Sequence, residues 1–231
     1  MRLPVLYVGN RNYSSWSMRG SLLVRLSGLE YQEEVIPLYM PEGRERLLEI
    51  SPSGRVPCLH IDGLRIWDSL AIAEFLHERF PAAGIWPADP AGRALARCIS
   101  AEMHSGFTGL RGALSMDIRA SQPKTDLPEV VRSEIRRIES IWQDCREKHG
   151  AGGDFLFGQW SGADCMFAPV VSRFRTYGVG LTGAARRYAD AVWQRPDVQG
   201  WVQAAAAEPW EIDFNHPGGV RARLRPDAGR I

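Results

Sequence analysis

The chain has 231 residues, 45% of them hydrophobic and 24% charged, with a formal net charge of +1. That is ordinary globular composition, enough for one large domain or two modest ones. So balanced a charge argues against nucleic acid or an anionic membrane as a partner, and no apolar run is long enough to span a bilayer.

Residues 4–8 (PVLYV) form a short apolar run ended by Gly9 and Asn10, the pattern of a buried strand. A polar loop over 9–15 follows. Met18, Leu22, Leu23 and Leu26 then share one face of a helix, and Gly28 is its expected stop. Tyr31 to Leu38 reads as extended, which completes a β-α-β unit with a parallel strand pair. Residues 43–50 have the spacing of a short amphipathic helix, broken by Ser51-Pro52-Ser53-Gly54. The segments 55–61 and 64–67 flank Asp62-Gly63, a strong hairpin signal. Ile72, Phe75, Leu76 and Arg79 then take helical spacing, with Asp68 or Ser69 as cap. Residues 81–92, rich in Pro, Ala and Gly, read as a linker. Beyond it, 93–120, 127–148, 162–177 and 184–207 read as helices, punctuated by Pro128, Gly178 and Pro196. No strand pattern is evident there, and 213–231 is expected to be irregular. Three units are therefore expected: 1–80, the linker 81–92, and an all-helical 93–231.

Cys58, Cys98, Cys145 and Cys165 lie far apart and form no C-x-x-C pair. No metal site is expected from them. Isolated cysteines fit a reducing compartment, and the N-terminal residues lack the apolar core of a signal peptide. A cytoplasmic location is the expectation.

The order βαβ-ββα, a linker, then helices resembles the glutathione transferase superfamily, whose first domain is thioredoxin-like and whose second is all-α. Gly54-Arg55-Val56-Pro57-Cys58-Leu59 resembles the family's G-K-V-P-x-L segment, whose proline is cis. Asp68-Ser69-Leu70-Ala71-Ile72 resembles its E-S-x-A-I segment. Trp160 to Asp164 resembles the capping box of the core helix in the second domain. Tyr13-Ser14-Ser15-Trp16-Ser17-Met18-Arg19 resembles the S-S-C-S-x-R segment of serine-type, zeta-like members. Trp16 stands where those enzymes carry cysteine, which argues against zeta-type isomerisation of maleylacetoacetate.

The resemblance implies glutathione as cosubstrate, a small hydrophobic electrophile and a homodimer. A free thiol has a pKa of about 8.5, whereas the nucleophile is the thiolate. A serine hydroxyl and a helix N-terminus could together favour that anion. From the residues alone, a serine before a helix is more often an N-cap; the resemblance implies a catalytic Ser14, with Ser15 as the neighbouring candidate. Tyr7 and Tyr13 compete as hydroxyl donors. The resemblance further implies that Val56, beside Pro57, pairs with the tripeptide backbone, that Arg55 lies near its glycyl end, and that Asp68 and Ser69 receive its γ-glutamyl end. Met103, Phe107 and Arg111, with His104 nearby, are the candidates for the electrophile pocket. Alternatives are an isomerase, a peroxidase, or a non-catalytic binding module of the same fold.

Overall fold

The computed structural model describes residues 2–214, 217 and 219–226. The first half runs β1 (Val5–Gly9), α1 (Ser15–Leu26), β2 (Gln32–Ile36), α2 (Pro41–Ile50), β3 (Cys58–Ile61), β4 (Leu64–Trp67) and α3 (Ser69–Arg79). Its sheet has the order β2-β1-β3-β4, with β1 parallel to β2 and the other pairs antiparallel. This is the expected βαβ-ββα pattern. A single 3₁₀ turn at Pro81–Ala83 leads to α4 (Pro90–Ser105), α5 (Thr108–Ala113), α6 (Glu129–His149), α7 (Gly162–Tyr177), α8 (Gly183–Gln194) and α9 (Pro196–Ala207).

Two expectations are corrected. The helix expected over 93–120 breaks at Gly106-Phe107, because Phe107 takes a left-handed conformation (φ 55°) that no α-helix continues through. It also ends at Ala113, leaving 114–128 as a non-helical stretch. The segment after α9 is not wholly irregular either. Strands β5 (Trp210–Asp213) and β6 (Arg221–Leu224) pair in antiparallel register. Of the expected tail, residues 215, 216, 218 and 227–231 lie outside the described residues.

One buried cluster joins the halves, running from Leu6, Val8 and Leu22 through Met103 and Trp142 to Trp201. Helix α1 lies at its centre, packed against α3, α7 and β1. Close approach of α1 to the next segment needs Gly20, where an added Cβ would meet Pro57 Cβ at 2.7 Å. The start of α7 is set by the expected capping box. The Asp164 carboxylate, fully buried, accepts from Ser161 N (2.8 Å), Ser161 Oγ (2.8 Å) and Leu156 N (3.1 Å). Burial pushes Asp164 up to about 6, against those donors.

Replacing Asp164 by Ala leaves two core amides without an acceptor. The expected loss is about 2–3 kcal/mol, seen as a melting temperature lower by roughly 5–10 °C. A fall of less than about 2 °C would contradict the assigned role.

Candidate active site

The loop from Asn10 to Ser14 joins β1 to α1 and is folded on itself: Tyr13 N and Ser14 N both donate to Asn10 O, at 3.1 and 2.8 Å. Ser14 is the N-cap of α1. Its Oγ accepts from Ser17 N at 3.3 Å and donates to Ser17 Oγ at 2.8 Å. Ser17 Oγ in turn accepts from Gly9 N at 2.8 Å, which ties the cap to the end of β1. Ser15 Oγ accepts from Arg173 Nη2 at 3.1 Å. As the first residues of the helix, Ser15 and Trp16 have amides with no intrahelical acceptor.

Three cavities meet here, and Trp16 lines all of them. One, of about 620 Å³, runs between α1 and α2 past Ser14, Tyr39, Arg44, Arg55 and Val56. The second, of about 590 Å³, reaches Pro57, Asp68, Ser69, His104 and Arg111. The third, of about 430 Å³, is walled by Ser14, Ser15, Arg111, Met116, Arg173 and, from the segment after α9, Ile212 and Phe214. The Val56-Pro57 bond is cis, and Val56 precedes the start of β3, outside the sheet ladder. Asp68 caps α3 in a left-handed conformation (φ 75°), its Oδ1 accepting from Leu70 N at 2.8 Å. Its Oδ2 lies 2.7 Å from His104 Nε2. Ser69 is fully buried at the cavity wall, and its Oγ has no partner among the described residues.

The surroundings of Trp16 carry surplus positive charge. The guanidinium carbons of Arg19 and Arg111 lie 4.7 and 4.8 Å from its ring centroid, and His104 meets it edge-on. Arg19 is buried, donates to Met166 O at 3.1 Å, and among the described residues leaves Nη1 without a partner. Arg173 is buried and donates to Leu114 O and Ser15 Oγ. Arg111 donates to His104 O at 3.2 Å. Among the described residues no carboxylate forms a salt bridge with any of the three. Burial, then Arg173 and Arg111, push Arg19 down to about 9, with Asp68 opposing. Burial, then Arg111, push Arg173 down to about 10. Both stay protonated at neutral pH.

The residues anticipated from the sequence divide. Ser14, Ser15, Arg55, Val56, Pro57, Asp68, Ser69 and Arg111 all line these cavities, and so does His104. Met103 and Phe107 do not. They are buried in the core cluster with Leu110 and Leu114, whereas the third candidate for the electrophile pocket, Arg111, lines two of the cavities. Their stripe faces inward because the chain turns at Phe107 and swings Arg111 to the opening. Tyr7 is buried in β1 against His60. Tyr13 OH is occupied, accepting from Arg119 Nη2 (3.1 Å) and Ile212 N (3.2 Å). Trp16, Arg173, Tyr39 and Phe214 were not anticipated as parts of a site. For Arg173 a signal existed: it is the one charge in Met166 to Phe174, a run that is apolar apart from it and Ser172.

Residues 13–79 match the family model for the glutathione S-transferase N-terminal domain, and 101–204 match that for the C-terminal domain. Maleylacetoacetate isomerase of Rattus norvegicus is 32% identical, over 78% of this chain and 82% of that protein. Probable maleylacetoacetate isomerase of Caenorhabditis elegans is 38% identical over the same shares. The solved structure of a glutathione transferase homolog from Burkholderia gl BGR1, with bound glutathione, is 28% identical. It superposes with a TM-score of 0.70, covering 90% of this chain and all of that one.

A cleft with surplus positive charge gains stability from any anion it admits. Sulfate at constant ionic strength is expected to raise the melting temperature by roughly 2–4 °C, about 1 kcal/mol. The rise in Arg111→Gln should be less than about half of that. Equal rises in both proteins would rule out the cleft as the cause.

Proposed function

The chain belongs to the glutathione S-transferase family, and from that premise we propose that it is a glutathione-dependent enzyme whose sulfur site is the amino end of α1. The observation that carries this reading is that Ser14, Ser15, Arg111 and Arg173 wall one cavity at the amino end of α1, with the buried Arg19 stacked on Trp16 beside it. Glutathione, when bound, supplies a thiol. What the chain must do is hold that thiol ionised.

The required shift is about two pKa units, or about 2.7 kcal/mol. A helix N-terminus supplies about 0.3–1 kcal/mol, and up to about 2 where partly buried. A hydroxyl donating to an anion adds about 1.5–3 kcal/mol. Those two terms suffice without the arginines. Arg19, Arg111 and Arg173 add a field of the same sign. Ser14 borders both the larger cavity toward α2 and the smaller one toward α7, so a sulfur held there would be open to a second substrate. To donate to it, the Ser14 hydroxyl turns from Ser17 Oγ. Ser15, already accepting from Arg173, has its own proton free for the same task.

The other ends of the tripeptide have matching groups. The orphaned Ser69 Oγ and the amino end of α3 suit the γ-glutamyl carboxylate. Asp68 suits the ammonium group, shared with His104. Val56 can pair with an extended backbone as a strand would. Arg44 and Arg55 border the cavity where the glycyl carboxylate would lie.

The electrophile would occupy the third cavity. Leu38, Met116, Ile212 and Phe214 suit an apolar body, and Arg111 with Arg173 suits an acidic group. The thiolate would form a bond to the electrophilic carbon, the displaced electron pair leaving with a leaving group or passing to a conjugated acceptor. A second reading is isomerisation, with glutathione recovered unchanged. It is favoured by the names of the curated relatives, whereas Trp16 in place of cysteine speaks for conjugation. A homodimer and a cytoplasmic location accompany the proposal as expectations from the family.

The test is the ultraviolet thiolate absorbance of bound glutathione against pH. Ser14→Ala is expected to raise its midpoint by about 1–2 units. The corresponding fall in kcat/KM near neutral pH is roughly 10–100-fold. An unchanged midpoint in Ser14→Ala with a raised one in Ser15→Ala would transfer the role to Ser15, and no change in either would reject the reading. Mass spectrometry of the products separates the two reactions: a stable thioether means conjugation, and recovered glutathione means isomerisation.

A further inference from the structure

We infer that Glu208 is a positioning residue for the sulfur site, holding from the far end of α9 the loop out of which Ser14 starts α1. The inference rests on the reading of Ser14 given above.

Glu208 directly follows α9 and lies beyond the residues matched by the family models, which stop at 204. It is buried, at 3% exposure, although it is a carboxylate. Its Oε1 accepts from Arg11 N at 2.7 Å and its Oε2 from Asn12 N at 3.2 Å. Two consecutive amides pointing at one carboxylate fix the orientation of two peptide planes, two residues before the catalytic hydroxyl. Both bonds are charge-assisted, the stronger kind. A buried carboxylate without such donors would be costly, so the pairing explains each side's tolerance of the other. The cationic groups around it are Arg11, which is itself paired to Glu33 at 2.8 Å, and Arg119.

Glu208 is itself held in place. Arg119 Nη1 donates to Glu208 O at 2.9 Å, and its Nη2 donates to Trp210 O and Tyr13 OH. Arg225 N donates to Pro209 O at 2.7 Å, and Arg225 Nη1 to Ala206 O at 3.1 Å, so the strand pair after α9 braces the residues on both sides of Glu208. Other groups of the loop also bind the helical half. Trp201 Nε1 donates to Arg11 O (3.0 Å), Arg119 N to Asn12 Oδ1 (2.9 Å), and Asn12 Nδ2 to Asp117 Oδ1 (2.7 Å). The loop is therefore held both by its own turn on Asn10 O and from the helical half, and Glu208 is the contact that reaches the amides of Arg11 and Asn12.

Glu208→Ala, Glu208→Gln and Ser14→Ala are compared in the full chain. The pH titration of the thiolate of bound glutathione is read beside the affinity for S-methylglutathione, which has no thiol. Glu208→Ala is expected to raise the thiolate midpoint by about one unit, so that about tenfold less thiolate is present below it. Glu208→Gln keeps the shape and one acceptor oxygen, so its expected loss is about threefold. Affinity for S-methylglutathione should change by less than about twofold in both, because the groups that hold the peptide ends are elsewhere. A midpoint equal to that of wild type overturns the inference, whatever the melting temperature; if the alanine variant does not fold, the glutamine variant decides. A loss of S-methylglutathione affinity equal to the loss of thiolate also overturns it, since that is general damage to the site. Ser14→Ala titrating as wild type removes the premise, whereas a shifted Ser14→Ala with unshifted Glu208 variants removes only the role of Glu208.

Discussion

Everything at the candidate site depends on helix α1 being enclosed. Nine of its twelve residues are buried, with the sheet on one side and α7 on the other. Gly20 lets the helix lie directly against Pro57, so the strand-like segment at Val56 and the first turn of the helix cannot move apart. A helix so held can present only its amino end, and it does so where three cavities converge. The chemistry proposed for Ser14 is thus a consequence of packing. The hydroxyl and the amides are aimed at one place because the core leaves the helix no other position.

That enclosure has an electrostatic cost. Arg19 and Arg173 are buried cations that have no carboxylate partner among the described residues; burial lowers both, Arg173 and Arg111 lower Arg19 further, and Arg111 lowers Arg173. Burial of an unpaired charge normally costs several kcal/mol. Here it is tolerated because each guanidinium finds a backbone carbonyl, Met166 O for Arg19 and Leu114 O for Arg173. The remaining attraction is directed at anions. A folded state that retains unsatisfied attraction is less stable than it could be, and it recovers the difference only when a ligand of the right sign arrives.

The order of the elements was legible in the sequence because each carries a local signal. The apolar run of β1, the helical spacing of Met18 to Leu26, Asp62-Gly63 and the Ser161–Asp164 box all act within a few residues. The segments proposed to hold the peptide are likewise contiguous motifs, around Pro57 and Asp68, and both line a cavity. What escaped was set by the tertiary structure. Periodicity shows that Met103 and Phe107 share a face but not whether that face meets a cleft or the core, and the left-handed turn at Phe107 decides it. Strands β5 and β6 carry charges at alternate positions, as in Arg221-Ala222-Arg223-Leu224, and resemble tail composition until they pair. Glu208 gives no local sign of its role, since its partners lie 197 and 196 residues earlier.

This separation along the chain has a biosynthetic consequence. During translation the β1–α1 loop leaves the ribosome 196 residues ahead of the carboxylate whose Oε2 binds Asn12 N. The sheet-bearing half can collapse early, with its loop folded on Asn10 O, but the amides of Arg11 and Asn12 lack their acceptor until Glu208 has been added. On the proposed role of Glu208, a product terminated before it would hold less of a bound sulfur in the ionised form, by the factor of about ten expected of Glu208→Ala.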